Sequence, residues 1–246
     1  NSEYHETLLE AKITWRISVL AGTDIKKDLS VIDDFNIRRH IRQLGDCVKI
    51  DTIEFKPEAN PQPGIEAALN LQPKNLTSYF EFPLNDNKLS DSLKKLRLAG
   101  TCAKIRTGGV ERESFPSASE ITDFIALCHQ EQVSFKATAG LHHPMRSEHL
   151  LLDGSTVMMN GFINLILAST LIHSGMANQT VATECLLETD PESFRFSRSD
   201  KGAAITWREF NFTLNQIKDA RKSFVHSFGS CSFLEPLEDL RTMGLR

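Results

Sequence analysis

Two lysines stand inside apolar segments that are typical of buried strands. Lys104 belongs to "CAKIRTGG" (Cys102 to Gly109), and Lys136 belongs to "SFKATAGLHHP" (Ser134 to Pro144). A buried ammonium group is costly unless it is paired or neutralised, so a lysine in such a place needs a reason. Because neighbouring cations disfavour each other's charged form, one amine of such a pair is expected to be free to attack a carbonyl carbon.

The two-residue period of a strand determines which side chains share a face with each lysine. On the first strand these are Arg106 and Gly108, and on the next they are Thr138 and Gly140. A cationic pocket that receives a small anionic substrate is the functional interpretation of this pattern.

An internal ion pair is the structural alternative. Asp51, Glu54 and Glu81 stand in apolar strand-like segments, and each of them could neutralise a lysine inside a barrel. The same three carboxylates are also candidates for acid/base catalysis, and spacing alone does not separate the two roles.

The elements that would position these residues alternate along the chain. The clearest helices are predicted over Asp91 to Leu98, Ser119 to Gln132 and Gly161 to His173. Apolar runs with strand character lie at Ile13 to Leu20, Val48 to Phe55, Ser78 to Pro83, Cys102 to Thr107, Ser134 to Ala139, Thr183 to Glu188 (the weakest of them) and Phe224 to Gly229.

Strands that alternate with helices favour an α/β fold with a parallel sheet and right-handed crossovers. Seven or eight strands in 246 residues favour a TIM-type (β/α) barrel over an open doubly wound sheet. No linker divides the chain, so we expect one barrel domain over residues 1–246. The first 50 residues supply one convincing strand, which leaves an irregular or incomplete N-terminal half as an alternative.

Composition excludes several classes of function. The net charge of −4 gives no overall positive field for nucleic acid. The longest apolar stretch, Val157 to Ile172, is shorter than the roughly 20 residues that span a bilayer, so no membrane partner is expected. The five cysteines form no CxxC pair, which favours a reduced, cytoplasmic protein. A homo-oligomer remains an open alternative.

The motifs resemble those of deoxyribose-phosphate aldolase and related class I aldolases. In that family a "KTSTG" strand carries the Schiff-base lysine, an "FKPAGG" strand carries a second lysine, and an "FG(A/T)SS" turn near the C-terminus binds phosphate. This chain has "KIRTGG", "FKATAGL" and "SFGSCSF" in the same order. It is also similar to a bacterial barrel family that carries "KIRTGG" and "FKATAGLHHP" almost verbatim, a resemblance that implies no particular activity.

The aldolase resemblance implies a role for each matching residue. Lys104 would be the Schiff-base lysine, Lys136 would keep it deprotonated, and Asp51 or Glu54 would be the acid/base carboxylate. The implied activity is a lyase reaction on a small anionic or phosphorylated carbonyl compound, without metal or cofactor. Residues at the strand ends would contact the anion, namely Arg106, Thr107, Gly108, Thr138, Gly140, His142, His143, Gly229 and Ser230.

Two rivals to the aldolase hypothesis stay open. The lysines could stabilise an enolate while a carboxylate abstracts a proton, as in a metal-independent isomerase or lyase. Alternatively, the barrel could bind an anion without catalysis. A metal site at His142 and His143, with Glu148 and His149 nearby, is the less favoured interpretation, because adjacent side chains point in different directions.

Weaker signals come from five other residues. Glu188 and Arg208 are weaker candidates for the site and are interpreted as surface charges. Cys231 is interpreted as a small turn residue and not as a nucleophile, because no base is linked to it in the sequence. Asn160 and Asn164 share one helix face, which is typical of an exposed or helix-packing surface.

Overall fold

This structure, a computed structural model, describes residues 14–38, 47–56, 61–71, 73, 75–84, 86–199, 202–232 and 234–245. The chain forms two compact units. We call N-terminal unit the described residues up to Glu81 together with Ala99–Cys102, and C-terminal unit Phe82–Leu98 together with the described residues from Ala103 onward. The predicted first residue of the first strand, Ile13, lies outside the described residues.

The N-terminal unit is built on parallel strands joined by helices. In chain order these are β1 (Trp15–Leu20), α1 (Ile25–Arg38), β2 (Val48–Phe55), α2 (Pro61–Leu71) and β3 (Thr77–Phe82). β2 pairs in parallel with β1 and with β3. Phe55 and Phe80 are buried with stacked rings whose centroids are 4.8 Å apart, and each such side chain contributes about 2 kcal/mol on burial.

The next elements along the chain are α3 (Leu89–Ala99), β4 (Cys102–Arg106), α4 (Ala118–Gln130) and β5 (Phe135–Thr138). A capping box begins α4, because the Ser117 hydroxyl accepts from the Glu120 N–H while the Glu120 carboxylate accepts from the Ser117 N–H. Ile121, Phe124 and Cys128 are buried at helical spacing, as the sequence predicts.

Two antiparallel additions follow β5. A hairpin of β6 (Ser147–Leu150) and β7 (Thr156–Met159) leads into α5 (Phe162–His173) and α6 (Gln179–Leu187). A three-stranded sheet then comprises β8 (Phe194–Ser199), β9 (Gly202–Trp207) and β10 (Phe210–Thr213). The chain ends with α7 (Leu214–Ser223), β11 (Val225–Gly229) and α8 (Leu234–Thr242), and β11 pairs in parallel with β5.

The predicted strand at Thr183 to Glu188 is wrong, because this segment lies mostly within α6 and Glu188 follows it. The Asn178 carboxamide oxygen caps the helix by accepting from the Val181 N–H at 3.1 Å. Ala182, Cys185 and Leu186 are buried at helical spacing, so tertiary packing and the cap outweigh the local strand propensity.

The α/β class and the parallel pairing of the main strands are confirmed. The strands β1, β2 and β3 form one parallel set and β4, β5 and β11 form another. The described residues do not show a complete TIM-type barrel, and a single barrel domain over 1–246 stays a prediction. No helix in the described part of the chain has both the length and the apolar character needed to cross a bilayer.

Candidate functional site

The two lysines are direct partners across neighbouring parallel strands of the C-terminal unit. Lys104 on β4 is in register with Lys136 on β5, which is in register with Ser227 on β11. Residues in register in a parallel sheet point to the same face. Lys104 is 5% exposed and Lys136 is 8% exposed, so this face buries two ammonium groups side by side.

The opposite face of these strands is apolar. It carries the buried Ile105 and Ala137 together with Phe228, whose ring stacks on Phe162 of α5 with centroids 4.4 Å apart. The lysine side chains therefore lie on the face opposite to this apolar packing.

A second polar row lies one step nearer the carboxyl ends of the strands. It consists of Arg106, Thr138 and Gly229, which are in register across β4, β5 and β11. Arg106 is exposed and Thr138 is half-buried, while a Cβ on Gly229 would lie 3.3 Å from Thr138 Cγ2. The register thus assembles three of the predicted anion-binding residues at one edge.

Thr107 fixes the backbone beyond this edge. Its N–H donates to the Thr138 carbonyl at 2.9 Å, and its hydroxyl donates to the Ala139 carbonyl at 2.7 Å. Ala139 and Gly140 both have positive φ, +64° and +69°, and this conformation costs a residue with a side chain about 1–2 kcal/mol. Thr107 is fully buried, so its hydroxyl shapes this turn and is engaged there.

The loop that follows carries the two predicted histidines, and the structure gives them different partners. His142 Nδ1 lies 3.0 Å from Ser230 Oγ and 3.7 Å from a Glu235 carboxylate oxygen. His143 Nδ1 lies 2.6 Å from an Asp239 carboxylate oxygen. Both acidic residues belong to α8, so α8 meets this loop mainly through polar contacts.

A third histidine, His149, which the sequence places near the pair, completes the cluster. The His149 ring stacks on the His143 ring with centroids 3.5 Å apart, and its Nε2 lies 2.8 Å from Ser147 Oγ. Burial lowers the pKa of His142 and of His149, so both imidazoles are neutral at neutral pH and can accept a proton. Among the described residues, no group of three His, Cys, Asp or Glu side chains could hold a metal ion.

The turn after β11, predicted to bind phosphate, is already occupied by internal contacts. The Ser230 hydroxyl donates to the Ser232 carbonyl at 2.9 Å and accepts from the Ser232 N–H at 3.2 Å. Cys231 is exposed, with its sulfur 3.7 Å from both ring nitrogens of His142. Because Glu235 stands beside the same imidazole, the side chains at this turn do not present a free positive charge to an anion.

The predicted acid/base carboxylates lie in the N-terminal unit. Asp51 accepts from Arg16 Nε at 2.5 Å, and Glu54 accepts from the Ser18 hydroxyl at 2.6 Å. Glu54 is also in register with Tyr79, whose phenol has a pKa raised mainly by burial. Asp51, Glu54 and Glu81 are all buried. Of these, Asp51 has a cationic partner, Arg16, within its own unit.

The structure brings forward a residue that the sequence interpretation passed over. Arg146, two residues beyond Pro144, is half-buried and donates from one guanidinium nitrogen to Asn160 Oδ1 at 2.5 Å. Asn160 and Asn164 are both fully buried, which excludes the exposed surface considered above. The available signal was two amides in an otherwise apolar stretch, but their partner could not be read from spacing.

Glu188 and Arg208 belong to a different region of the C-terminal unit. The Trp207 indole N–H donates to Glu188 at 3.2 Å, while Arg208 lies 4.4 Å over the Trp207 ring and pairs with Glu184. A cavity of about 250 Å³ opens here, lined by Glu192, Ser193, Arg195, Thr206 and Arg208. Glu188 and Arg208 both contact the Trp207 ring, so they support its packing.

Comparison of the chain with protein-family models, with curated proteins and with solved structures finds no match in any of the three. The functional argument therefore depends on the geometry of the site.

Proposed function

We propose that the C-terminal unit carries the active site of a class I, Schiff-base aldolase-type lyase that acts on a small anionic or phosphorylated carbonyl compound. The observation that carries the proposal is the direct register of Lys104 with Lys136 on adjacent parallel strands, with both residues buried. A lysine amine is the nucleophile that forms a Schiff base with a carbonyl compound, and the register supplies two of them on one face.

In the proposed reaction the Lys104 amine attacks the substrate carbonyl carbon, and water leaves to give an iminium ion. The bond between the α and β carbons then breaks, its electron pair moves toward the iminium nitrogen to leave an enamine on Lys104, and the other fragment leaves as an aldehyde or ketone. The β-hydroxyl of that fragment must lose its proton in this step, and His142 is a neutral base on the loop after β5, the strand that carries Lys136. Protonation of the enamine carbon and hydrolysis by water release the second product and restore the Lys104 amine. Assignment of Asp51, Glu54 or Glu81 to this step stays a prediction.

Two further features support the barrel-type fold and the cytoplasmic location that belong to this proposal. Parallel strands joined by helices, as in (β/α) barrels, make up the N-terminal unit and recur at β4, β5 and β11 of the C-terminal unit. In such barrels chemistry takes place at the carboxyl ends of the strands, and a barrel-type fold is part of the proposal. All five cysteines are free thiols, which supports a reducing, cytoplasmic location.

Reductive trapping tests the covalent step. The protein is incubated with borohydride and acetaldehyde, pyruvate or glyceraldehyde 3-phosphate, and adducts are located by peptide mass spectrometry. We expect one dominant adduct, on Lys104. Lys104→Arg should abolish it, and Lys136→Leu should slow its formation because Lys136 lies in register beside Lys104 on the same face.

The matched control is Lys94→Arg, since Lys94 is an exposed lysine on α3 that pairs with Asp91 and should not affect trapping. Circular dichroism of every variant separates a lost nucleophile from a lost fold. Equal labelling of Lys104 and Lys94 would overturn the Schiff-base mechanism. Proton exchange from a carbonyl probe, lost in Glu54→Gln or Glu81→Gln, would then favour the enolate mechanism instead.

A further inference from the structure

Arg146 is a half-buried cation that has no acidic partner among the residues that the structure describes. No carboxylate of the described residues lies within salt-bridge distance of its guanidinium group, and its side-chain hydrogen bond goes to the neutral Asn160 amide. Burial lowers the pKa of Arg146, and no nearby negative charge opposes that effect. A cation removed from water without a counter-ion is costly, so this group is poised to receive an anion.

Asn160 adds a second, independent sign. Its side chain is fully buried, and its Nδ2 amide group has no hydrogen-bond partner in the part of the chain that the structure describes. The orientation of this amide is fixed, because exchanging oxygen and nitrogen would set the Asn160 donors against the Arg146 donor. A buried N–H₂ without an acceptor costs about 1–3 kcal/mol, and an oxyanion would satisfy it.

The fold explains why these two groups stand together. Ser147 pairs with Met159 at the open end of the β6–β7 hairpin, so Arg146 and Asn160 occupy the next opposed positions. The backbone there is held by Asn164, whose carboxamide oxygen accepts from the Arg146 N–H at 3.0 Å. The free donors are therefore presented by a fixed frame.

We propose that Arg146 and Asn160 form a binding site for a carboxylate group. One guanidinium carries one positive charge, so a carboxylate is matched in charge, whereas a phosphate dianion would remain half uncompensated in a buried setting. The proposed ligand class is small molecules that bear a carboxylate, and this site is separate from the proposed reaction at Lys104.

Propionate is the probe for the site, because it has a carboxylate but no carbonyl and cannot form a Schiff base. In protein labelled with nitrogen-15, titration with propionate should shift the Asn160 side-chain amide signals and the Arg146 Nε–H signal. Arg146→Gln should weaken propionate binding at least about tenfold, since it removes a charge-assisted hydrogen bond. Inorganic phosphate should bind at least about tenfold more weakly than propionate to the unaltered protein.

Asn160→Asp provides a variant that keeps the shape of the side chain. Its new carboxylate would occupy the position of the ligand next to Arg146, so propionate binding should be lost while the fold is retained. Arg198→Gln, on strand β8, is the matched control for the loss of one positive charge, and it should bind propionate as the unaltered protein does.

The results separate this site from the aldolase proposal. Unchanged propionate binding in Arg146→Gln, or signal shifts elsewhere only, would overturn the carboxylate site. Propionate binding at Arg146 without any trapping on Lys104 would keep the site and overturn the Schiff-base function.

Discussion

Gly108 and Gly140 meet backbone to backbone at the carboxyl edge of the lysine strands. A Cβ on Gly108 would lie 2.7 Å from the Cα of Gly140, and a Cβ on Gly140 would lie 2.9 Å from the Cα of Gly108. The Phe115 ring borders the same space, with Cε1 2.7 Å and 3.0 Å from those two positions. These glycines, predicted from the sequence to contact an anion, have a packing reason for their identity.

We expect Gly140→Ala to lower the free energy of unfolding by about 2–4 kcal/mol, because it adds a collision with backbone to the strain of a positive φ. Gly154→Ala is the matched control, since Gly154 has a φ of +85° and nothing within 4 Å of a new Cβ. That variant should lose only about 1 kcal/mol. Urea unfolding measures both, and equal losses would contradict the role of the contact.

The capping box of α4 should make stability depend on pH. The pKa of Glu120 is lowered, chiefly by the hydrogen bond that it accepts from the Ser117 side chain. A carboxyl group whose pKa is lower in the folded state contributes stability that is complete above its unfolded pKa, near 4.5, and is lost as the pH falls through the folded value. We therefore expect Ser117→Ala to cost about 1 kcal/mol at pH 7 and less at pH 3.

The second capping box of the chain is the control for this effect. At the start of α7, Thr213 exchanges the same pair of hydrogen bonds with Gln216, which does not titrate. Thr213→Ala should cost a similar amount at both pH values. If both variants showed the same change between pH 7 and pH 3, the carboxylate of Glu120 would not be its source.

Thiol labelling should distinguish Cys231 from the other four cysteines. Cys231 is exposed, whereas Cys47, Cys102, Cys128 and Cys185 are buried. Burial raises the pKa of Cys102 to about 11, so very little thiolate exists there near neutral pH. We expect iodoacetamide to alkylate the native protein at Cys231 alone.

Mass spectrometry gives the count of labels. Native Cys231→Ser should take up none, and the same variant in strong denaturant should take up four. Rapid labelling of Cys102 in the native protein would show that the core of the N-terminal unit opens far more easily than its burial indicates, and rapid labelling of Cys185 would show the same for the C-terminal unit.

The parallel strands were predictable because each one carries its own signal. Runs rich in β-branched and aromatic residues, such as Val48 to Phe55, identify a strand without knowledge of its partners even where charged residues interrupt them. Segment Thr183 to Glu188 shows the limit of that reasoning, because its helix depends on a cap from Asn178 and on burial of Cys185. The strands β8, β9 and β10 were missed because Arg and Ser interrupt β8, Gly and Ala weaken the strand signal of β9, and β10 has only four residues.

The same contrast holds for the candidate site. Lys104 and Lys136 could be matched from spacing, because each lysine has the same place within a recognisable strand. Arg146 and Asn160 could not, because their contact requires a hairpin whose strands of four residues each are too short to stand out. The partner of His142, Ser230, is 88 residues away along the chain, and it too requires the folded structure.

Asn160 and Asn164 should respond to the same substitution with opposite signs. The Asn164 amide donates to the carbonyl oxygens of Cys185 and Glu188, at 2.9 Å and 2.8 Å, so all of its polar atoms are paired. In Asn164→Asp a buried carboxylate oxygen would face those two carbonyl oxygens, with no proton between them. We expect a loss of at least about 3 kcal/mol in the free energy of unfolding.

Asn160→Asp instead replaces an unpaired N–H₂ with a charged acceptor next to the Arg146 guanidinium. We expect this variant to gain about 1 kcal/mol in the absence of any ligand, because a charge-assisted hydrogen bond forms where a buried donor had no acceptor. Urea unfolding of both variants and of Asn160→Asp combined with Arg146→Gln measures the effect. The double variant should lose the gain, since the new carboxylate would then be buried without a cation. A destabilised Asn160→Asp would show that the Asn160 amide is satisfied in solution, and would remove the basis for an anion between it and Arg146.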